Sequence, residues 1–524
     1  MNDSTEDRST KERSTKDLST EVGLEDSQTT AENELSEEKL NEMRQIRREK
    51  LKNLQSMGRN PFLTETWEIT AYSQDIKDEF EALDGHWVSA AGRIMANRHM
   101  GKASFIDIQD KQGRIQVYVR QDKITVEEYE IFLTYDIGDI VGVEGTVFKT
   151  RHGEISIKVD KIVLLSKSLQ ILPNKFQGLR DQELRYRQRY VDLIVNPEVR
   201  DTFIMRAKII KEIKRYLEEE RDFLEVDTPI LTQIAGGANA RPFSTHLNAL
   251  GLDMKLRISN ELYLKRLTVG GLDRVYEMGK MFRNEGMDKN HNPEFTSIEL
   301  YQAYGNQETM MDITENVVAN AAKVALGTTI ITYQGKTFDL TPPWDRISMQ
   351  EAVKKWVGED FDKIQTDIEA RKIAKKHNLE DWESLTRGLV ISELFEQYCE
   401  EYLDGPIFIT GHPVEISPLA KRDPKDPRIT RRFEAYINKW EVANAFSELN
   451  DPIDQYQRFK EQQEQLEKGD EEAHPMDEDY VNALEVGLPP TGGLGIGVDR
   501  VIMLITDSPS IRDIILFPTM KPLE

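Results

Sequence analysis

The sequence predicts an α+β protein in which a small β-barrel precedes a larger unit of mixed helices and strands. Five short segments between residues 87 and 166 alternate apolar and polar residues, which is the pattern of half-buried strands. After residue 181, a long segment with helical periodicity leads into charged strand segments, and a helical stretch follows at about residues 310–400. A chain of 524 residues is long enough for several domains.

The composition excludes several classes of protein. No uncharged apolar run approaches the roughly 18–20 residues that span a bilayer, so we expect no membrane segment. The opening MNDSTEDRSTKERSTKDLSTE lacks the apolar core of a secretory signal, which predicts a cytoplasmic protein. Cys399 is the only cysteine, which excludes an internal disulfide and a thiolate zinc cage, and we expect no zinc. The net charge of −24 argues against non-specific coating of nucleic acid but allows a local, selective site.

The N-terminal part divides into two predicted segments. Residues 1–37 repeat Ser, Thr and charged residues with too little apolar surface to fold, which predicts a disordered acidic tail. Residues 38–85 are predicted to form a basic amphipathic helix and a connector, since EEKLNEMRQIRREKLKNLQSMG has apolar residues near helical spacing. This helix either packs on the next domain or contacts phosphates as a basic arm, and the sequence leaves both interpretations open.

A five-stranded barrel is predicted at residues 86–166. The oligonucleotide-binding (OB) barrel is one such fold, and its second and third strands commonly contact unpaired bases. On that face, Phe105 offers a ring for base stacking and Gln116 offers an amide for a base edge. A barrel phenylalanine is also a common core residue, so both interpretations of Phe105 stand. Residues 167–180 are predicted to be a linker, with Pro173 and Gly178 as breakers.

The strongest local signal for chemistry is RVYEMGKMFRNEGMDKNHNPEFTSIELYQAY, at residues 274–304. If it forms two antiparallel strands, Arg283 and Glu285 share one face of the first strand. His291 then lies in the intervening loop, where it could meet a phosphate. A solvated hairpin with an ion pair at its tip is the alternative. In the second strand, three side chains share the face opposite the apolar one: Phe295, Glu299 and Tyr301.

A second hairpin is predicted in RRFEAYINKWEVANAFSELN. A two-residue turn at Asn438 and Lys439 would pair Tyr436 with Glu441 and make Glu434 a same-face neighbour of Glu441. Two such carboxylates repel unless a cation intervenes, and oxygen ligands suit Mg²⁺ bound to substrate phosphates. A solvated pair is the alternative. Three further residues alternate on a common face, which requires a bulge after Glu441: Asn444, Phe446 and Glu448.

The third group is GLPPTGGLGIGVDRVIML, near the C-terminus. Its glycines allow a flat ligand or another backbone to approach closely. The group lacks the G-x-G-x-x-G spacing of dinucleotide-binding proteins, and the chain has no phosphate loop with the G-x-x-x-x-G-K-S/T spacing. Arg500 follows at the start of an apolar helix, either as a phosphate contact or as a helix-surface residue.

Together these groups resemble the class II aminoacyl-tRNA synthetases, and more closely the lysyl-tRNA synthetases of the bacterial and eukaryotic type. FLEVDTPIL, which contains Pro229, resembles the first motif, at the dimer interface of the family. MFRNEG through HNPEFTSIELYQAY resembles the second motif, and GLGIGVDR resembles the third. The resemblance implies a class II catalytic domain at residues 181–524, with an antiparallel sheet flanked by helices. The HIGH and KMSKS strings of class I enzymes are absent.

The resemblance also implies a role for each candidate residue. Arg283 would hold the α-phosphate and the amino-acid carboxylate. The expected contacts of the rest of ATP are Glu285 and Phe295 for adenine, and His291 and Arg500 for the distal phosphates. The expected magnesium ligands are Glu434 and Glu441. The expected lysine pocket consists of Gly237, Glu261, Glu299, Tyr301, Asn444, Phe446 and Glu448. The expected anticodon contacts are Phe105, Gln116 and Glu154.

The implied function is the activation of L-lysine by ATP with Mg²⁺, and its transfer to the 3′ end of tRNA(Lys) by a homodimer. Three carboxylates, of Glu261, Glu299 and Glu448, suit a substrate with a buried ammonium group. Glu261 has a second interpretation, as an acidic residue in the first turn of a helix capped by Ser259. Three alternative functions stay open. They are an aspartyl- or asparaginyl-type synthetase, an enzyme that lysylates proteins through lysyl-adenylate, and a non-catalytic RNA-binding regulator.

Five positions depart from the usual pattern of the family, and none of them removes an expected ligand. They are Ser259, Asn260, Lys280, His412 and Gly492.

Overall fold

A computed structural model describes residues 37–173, 179–238, 240–467 and 475–523. The chain divides into two units, with the boundary between Gly178 and Leu179. The predicted acidic tail up to residue 36, and Gly178 of the predicted linker, lie outside the described residues. No helix in the described ranges is long and apolar enough to cross a membrane.

The first unit contains a closed barrel with the strand order β1-β2-β3-β5-β4, and this confirms the predicted five-stranded barrel. Strands β3 and β5 are parallel, and the other neighbours are antiparallel. Alternate side chains such as Ile106, Ile108 and Val117 fill the barrel core, because successive residues of a strand point to opposite faces. The strands are β1 (Trp87–Met100), β2 (Ala103–Gln109), β3 (Arg114–Arg120), β4 (Ile140–Lys149) and β5 (Ile155–Ser166).

The predicted basic helix is present at Glu37–Ser56 and packs on the barrel of the same unit. Arg47 is only 7% exposed and donates a hydrogen bond of 2.9 Å to the carbonyl of Ile137. Lys50 pairs with Asp136 at 2.6 Å. The packing interpretation is therefore confirmed for these two residues. The other helical segments of the unit are Pro61–Leu63 (3₁₀), Ser73–Asp78, Phe80–Leu83 and Val126–Phe132.

Lys167, the first residue of the predicted linker, belongs to the packing of the barrel. Its side chain is fully buried, and its ammonium lies 2.7 Å from the carboxylate of Asp139. Asp136 is its second partner, at 2.5 Å. A buried ammonium needs such partners because it has lost its water.

The second unit is organised around an eight-stranded sheet. The strands in its described residues are β6 (Leu224–Glu225), β7 (Leu231–Thr232), β8 (Ser244–Leu247), β9 (Leu252–Leu256), β10 (Arg274–Phe282), β11 (Glu294–Ala303), β12 (Ile330–Tyr333), β13 (Lys336–Asp339), β14 (Asp345–Ser348), β15 (Ile407–Thr410), β16 (Arg432–Ile437), β17 (Trp440–Ser447) and β18 (Thr491–Ile496). The sheet order is β14-β15-β16-β17-β18-β11-β10-β6, and only the two edge pairs are parallel. Strands β12 and β13 form a separate hairpin, and β7, β9 and β8 form a small sheet.

Two long helices, Pro197–Arg215 and Gln307–Leu326, contribute to the apolar core on one face of this sheet. Ile298 and Leu300 of β11 point into that core and are fully buried. The alternate side chains of the same strand therefore point to the opposite face. The remaining helices of the described part are Gln182–Arg187, Arg189–Val195, Tyr216–Glu220 (π), Glu261–Val269, Met349–Trp356, Asp367–Lys376, Arg387–Tyr398, Glu400–Tyr402 (3₁₀), Val414–Ile416 (3₁₀), Pro452–Glu467, Glu478–Gly487, Val498–Ile505 and Ile511–Ile514.

The stretch predicted as helical at about residues 310–400 also contains strands β12, β13 and β14. The three helices after β14 share a core of their own, which includes Val353, Val390 and Phe395. The strands were missed because each has only four residues, which is too short for a periodic pattern to stand out.

Candidate active site

A cavity of about 440 Å³ lies on the sheet face opposite the two long helices. Every residue that the sequence proposed for this unit lines the cavity, with the exception of Glu448. Residues from well-separated parts of the chain therefore meet in one place. They are Gly237, Glu261, Arg283, Glu285, His291, Phe295, Glu299, Tyr301, Glu434, Glu441, Asn444, Phe446 and Arg500.

Strand β11 positions Glu299 and Tyr301 towards the cavity, and its alternate residues belong to the core, as predicted. Gly493 of β18 is the residue paired with Tyr301. A Cβ atom on Gly493 would lie 1.9 Å from Oε1 of Glu448 and 2.5 Å from the Tyr301 ring. Only glycine fits at this position, because any side chain would occupy the space of a carboxylate and an aromatic ring.

The structure corrects the predicted position of Arg283 and Glu285. Strand β10 ends at Phe282, so both residues lie in the loop after the strand instead of on its face. The loop is held at its base by a 3.0 Å hydrogen bond from the Arg283 amide to the Pro293 carbonyl. Glu285 is exposed, and the two side chains do not form the ion pair of the alternative interpretation in the described structure.

The guanidinium of Arg283 is available to a ligand. Its carbon lies 5.3 Å from the centroid of the Phe295 ring, which holds the side chain by a cation–π contact. Its Nε atom is buried and donates no hydrogen bond to any described residue. A buried donor without a partner is costly in a protein, and a phosphate or carboxylate oxygen would satisfy it.

His291 and Arg500 meet at the cavity wall. Arg500 donates a 3.2 Å hydrogen bond to Nε2 of His291, while Nδ1 of His291 contacts Asp288 at 2.9 Å. His291 thus carries its proton on Nδ1, where Asp288 orients the ring. Arg500 is in the first turn of the helix Val498–Ile505. This pair combines a fixed cation with a helix N-terminus, an arrangement that favours anions.

The predicted hairpin of β16 and β17 is confirmed. Asn438 and Lys439 form its two-residue turn with φ angles of 51° and 66°, and Tyr436 pairs with Glu441. The register shifts so that Val442 is the extra residue, which is the bulge that the sequence required between Glu441 and Asn444. Because of the bulge, the odd-numbered Glu441 and the even-numbered Asn444 and Phe446 all line the cavity.

Glu434 and Glu441 are neighbouring carboxylates that are both partly exposed, with 15% and 40% of their side-chain surface accessible. Burial would raise the pKa of Glu434, but His412 and Arg432 outweigh this effect and hold the pKa well below its ordinary value. Burial and the charge of Glu434 raise the pKa of Glu441. Glu434 receives hydrogen bonds from Arg432 at 2.7 Å and from the hydroxyl of Tyr436 at 2.8 Å. The remaining repulsion would be relieved by a hard cation between the two carboxylates.

No group of three or more His, Cys, Asp or Glu residues suited to a metal occurs in the part of the chain that the structure describes. The candidate metal site is therefore the two-carboxylate pair. A set of two carboxylates fits Mg²⁺, which usually keeps several waters and binds substrate phosphates.

The other end of the cavity contains a cluster of acidic side chains. Glu299 accepts hydrogen bonds from Ser259 at 2.8 Å and from the Tyr301 hydroxyl at 3.2 Å. Burial and the nearby carboxyl of Glu261 raise the pKa of Glu299 to about 7. Lys265 pairs with Glu261 and Glu448 at once. The three predicted carboxylates are therefore close together, as a cationic ligand would require.

Glu448 requires a correction, because it does not line the cavity. Its side chain is fully buried behind the wall at Gly493, where Lys265 is its ion-pair partner. Burial, opposed by Lys265, raises the pKa of Glu448 well above its ordinary value. Oε1 of Glu448 accepts no hydrogen bond from the described residues.

Two charged residues of the site were missed in the sequence. Lys265 follows Glu261 by one helical turn, and this i,i+4 spacing is the signal that predicts such a pair. Arg432 alternates with Glu434 on one face of β16 and also contacts the side-chain oxygen of Asn444 at 3.1 Å. The period of two in the strand would have found Arg432.

Four of the five residues that depart from the family pattern make contacts that explain them. Asn260 is buried and donates to Glu277 at 2.9 Å. Ser259 donates to Glu299 and also accepts from the amide of Glu261 at 3.1 Å, so its predicted contact with the start of the helix is present. His412 is fully buried with Nε2 3.4 Å from Glu434. A Cβ on Gly492 would lie 3.0 Å from the amide of Asn306, so the larger alanine is tight here. Nothing in the structure explains Lys280.

The candidate anticodon residues lie on the barrel. Phe105 is outside the barrel core and stacks on Tyr118, with ring centroids 4.6 Å apart, so the core interpretation is wrong. Gln116 lies on the same face of β3 as Tyr118 and accepts a 3.0 Å hydrogen bond from Ser156. Glu154 is exposed just before β5. Tyr118 was missed, although its alternation with Gln116 was the signal.

Comparison with known proteins agrees with this geometry. The family model described as tRNA synthetases class II (D, K and N) matches residues 181–521. The model described as OB-fold nucleic acid binding domain matches residues 88–165. The chain therefore belongs to the class II tRNA synthetases.

Similar curated proteins narrow this assignment. A protein of Thermoanaerobacter pseudethanolicus is 60% identical over 485 residues, which cover 93% of this chain and 97% of the relative. A protein of Moorella thermoacetica is 55% identical over 484 residues, which cover 92% and 99%. A protein of Halalkalibacterium halodurans is 54% identical over 489 residues, which cover 92% and 97%. All three are named lysine–tRNA ligase, and the chain is a member of that family, as predicted.

Proposed function

We propose that the protein activates L-lysine with ATP and transfers the lysyl group to the 3′ end of tRNA(Lys). One observation supports this substrate most directly. Glu261 and Glu299 line a cavity that Arg283 and Arg500 also line, and Glu448 lies behind its wall, where it shares Lys265 with Glu261. An acidic end suits an ammonium-bearing amino acid, and a basic end suits the phosphates of a nucleotide.

The first step joins lysine to the nucleotide. An oxygen of the lysine carboxylate forms a bond to the α-phosphorus of ATP, and the bond from that phosphorus to the bridging oxygen breaks, so that pyrophosphate leaves. In the second step, a terminal hydroxyl of the tRNA attacks the carbonyl carbon, and AMP leaves. Neither step needs a nucleophile from the protein, so catalysis depends on positioning and charge stabilisation.

Arg283 is the central residue of this proposal. Its unpartnered Nε and its position over Phe295 suit contact with the α-phosphate and the lysine carboxylate, while the ring of Phe295 and the carboxylate of Glu285 suit adenine. Arg500 and His291 suit the β- and γ-phosphates, since their contact places donors at a helix N-terminus. Positive charge would then face each oxygen at which negative charge develops.

The lysine itself would lie between the two ends. Glu299 suits contact with an ammonium group, the charge of Glu448 behind the wall supports it, and the rings of Tyr301 and Phe446 suit the aliphatic stem. Asn444 lines the cavity between the acidic end and the carboxylate pair. Gly237 has a φ angle of 90°, and a Cβ there would lie 2.8 Å from Oγ of Ser259 and 3.1 Å from Glu261. A glycine therefore keeps this part of the wall free for the amino acid.

We propose Mg²⁺ as the ion for Glu434 and Glu441, with ATP as its other partner. The pair of carboxylates supports this choice, because the charge of Glu434 raises the pKa of Glu441, and a cation between the two would oppose this repulsion. When bound, Mg²⁺ would neutralise phosphate charge. The protein contributes the two carboxylates and holds Glu434 in place through Arg432 and Tyr436.

Pyrophosphate exchange measured with each amino acid in turn tests the proposed function. We expect lysine to drive exchange and aspartate and asparagine to be inactive, since a pocket of carboxylates repels an acidic side chain. Exchange with aspartate or asparagine would contradict the proposal. Lysyl-adenylate formation without charging of tRNA(Lys) would support the protein-lysylating alternative, and no ATP turnover would support a non-catalytic regulator.

The magnesium proposal predicts a specific change in metal dependence. In Glu434→Gln and Glu441→Gln, the Mg²⁺ concentration for half-maximal exchange should rise at least about tenfold, since each change removes a charged ligand. A titration of exchange rate against Mg²⁺ measures this value. The exposed Glu383→Gln serves as the control and should titrate like the unaltered protein. Unchanged Mg²⁺ dependence in both site variants would contradict the assignment.

The barrel is proposed to bind the anticodon through the stacked rings of Phe105 and Tyr118. In Phe105→Ala, we expect the KM for tRNA(Lys) to rise about tenfold to a hundredfold, because stacking of one base contributes about 1–3 kcal/mol. Lysine-dependent pyrophosphate exchange should not change, since that reaction needs no anticodon. Equal losses in both assays would contradict a role restricted to the anticodon. Gln116 and Glu154 are proposed to contact base edges on the same face.

A homodimer is proposed from the exposed apolar side chains around Pro229. Leu224 is 52% exposed, and Ile230 and Leu231 are each 45% exposed. Burial of such neighbouring side chains against a second copy would remove them from water. Sedimentation of the protein measures its mass in solution, and a monomer at assay concentration would contradict the proposal.

A cytoplasmic location also stays a prediction.

A further inference from the structure

Lys265 is a charged residue next to the proposed lysine pocket, and it has no role in the steps above. It is fully buried on the helix Glu261–Val269, and its ammonium pairs with Glu261 and Glu448 at once. The rings of Tyr301, Phe446 and Tyr480 lie between 5.5 Å and 5.8 Å from this ammonium. A buried lysine is costly unless it is paired, so such a position needs a reason.

The charges of the pocket do not balance without a ligand. Three carboxyls, of Glu261, Glu299 and Glu448, face a single ammonium, that of Lys265. Lys421 is the next cation near Glu448, but in the described structure it forms no ion pair with a carboxylate. Two carboxyls are therefore left without a cation, and a free lysine carries two ammonium groups.

We propose that Lys265 is a positioning residue for the substrate: a built-in ammonium that neutralises one of the three carboxylates, so that the pocket matches the two ammonium groups of free lysine. This inference rests on the proposed activation of lysine. It also accounts for the orientation of Glu448. Lys265 binds its Oε2 atom and leaves Oε1 without a partner, above Gly493 at the cavity wall.

The directions of the pKa shifts in the pocket agree with an excess of carboxyl groups over ammonium groups. Burial raises the pKa of both Glu299 and Glu448, and Lys265 opposes this effect at Glu448. Burial alone would lower the pKa of Lys265, but Glu261 and Glu448 outweigh it and keep the ammonium charged. The other groups that face the cluster are Tyr301 and Tyr480, whose pKa values are raised chiefly by burial, so that both stay neutral, and Lys421, whose pKa burial lowers.

The pH dependence of kcat/KM for lysine tests the proposal, because this ratio reports the groups of the free enzyme. The pKa of Glu299 is raised to about 7, so its carboxylate is lost as the pH falls below that value. An ammonium binds the ionised form, and kcat/KM for lysine should therefore fall on the acidic side. This decrease is called the acid limb. The pH at the midpoint of this limb depends on the positive charges near the carboxyls, because each of them favours the ionised carboxylate.

Four variants test this charge count: two change it in opposite directions and two leave it as it is. Lys265→Met removes the ammonium and should move the acid limb about one pH unit or more upwards, because each carboxyl loses a nearby positive charge. Glu261→Gln removes a carboxylate and should move the limb downwards. The double variant Lys265→Met/Glu261→Gln again has two unpaired carboxyls, so its limb should return to the original pH. Lys265→Arg keeps the charge and should keep the limb near its original position.

A matched control is available in the barrel. Lys167 is also a fully buried lysine that pairs with two carboxylates. Lys167→Met should lower the melting temperature as Lys265→Met does, yet leave kcat/KM for lysine and its acid limb unchanged in pyrophosphate exchange. The KM for ATP should stay within about twofold in the Lys265 variants, since the acidic end does not contact the nucleotide.

The outcomes separate this inference from the proposed function. If the unaltered protein shows no lysine-dependent exchange, the proposed function fails, and this inference fails with it. If the protein is active but the acid limb has the same midpoint in Lys265→Met, Lys265 is only structural and the inference alone fails. Should Lys265→Met not fold, Glu261→Gln and the double variant still decide, because identical limbs in these two would overturn the proposal.

Discussion

Arg283→Ala should abolish lysine-dependent pyrophosphate exchange, with a loss of at least about a thousandfold in kcat/KM. The reason is that the guanidinium is the one group proposed to contact both reacting partners, the lysine carboxylate and the α-phosphate. Its removal would eliminate both alignment and charge stabilisation at the atom where the bond forms. The rate of pyrophosphate exchange at saturating ATP measures the effect.

The fold should survive this change, because the side chain is only half-buried and its Nε donates no hydrogen bond to any described residue. An unchanged melting temperature would establish this point. Arg215→Ala, at a surface arginine that pairs with Glu212 and Glu220, provides the control and should remain active. Arg283→Lys retains the charge without the planar fork of donors, so we expect it to recover little activity. Near-normal exchange in Arg283→Ala would refute the proposed role.

Gly493→Ala should reduce kcat/KM for lysine about a hundredfold while leaving the KM for ATP nearly unchanged. The added Cβ would lie 1.9 Å from Oε1 of Glu448 and 2.5 Å from the Tyr301 ring, so both side chains must move. Glu448 is fully buried and is held by Lys265. A displacement of about 1 Å in groups that position a substrate typically costs about two orders of magnitude in rate.

Gly495→Ala is the matched comparison on the same strand. Its Cβ would meet no protein atom closer than 3.8 Å, so the protein accommodates it without displacement. We expect its KM for lysine to stay within about threefold of the unaltered value. The two variants differ only in position along β18. Equal values of the KM for lysine would show that the contact of Gly493 with Glu448 and Tyr301 does not shape the pocket.

Much of the site could be predicted because strand geometry is local. Side chains alternate along every strand, so the order of residues alone separates Glu299 and Tyr301 from the core residues Ile298 and Leu300. The same rule required a bulge after Glu441, and the structure has it at Val442. The OB-type barrel could be predicted as well, since burial alternates strictly along β2 and β3, although register shifts interrupt the pattern in β1 and between β4 and β5.

Sequence-based predictions failed at residues whose position depends on where a strand ends, or on a contact with a residue remote in the sequence. Arg283 and Glu285 were placed on a strand that in fact ends at Phe282, because single-sequence boundaries are uncertain by about two to four residues. Phe105 had two interpretations, and only the contact of its ring with Tyr118 on the outer face decided between them. His412 contacts Glu434 although no local pattern connects them.

The amino-acid sequence by itself determined the family, through the resemblance of its motifs. It also determined the two kinds of fold and the residue types suited to a cation and a nucleotide, which follow from side-chain chemistry and from periodicities of 3.6 and 2, properties of short stretches of chain. Only the tertiary structure decided that Lys265 bridges Glu261 and Glu448, that Glu448 lies behind Gly493, and that Arg500 meets His291. Such contacts join segments that are remote along the chain, and they exist because burial in a shared cavity forces each charge to find a partner.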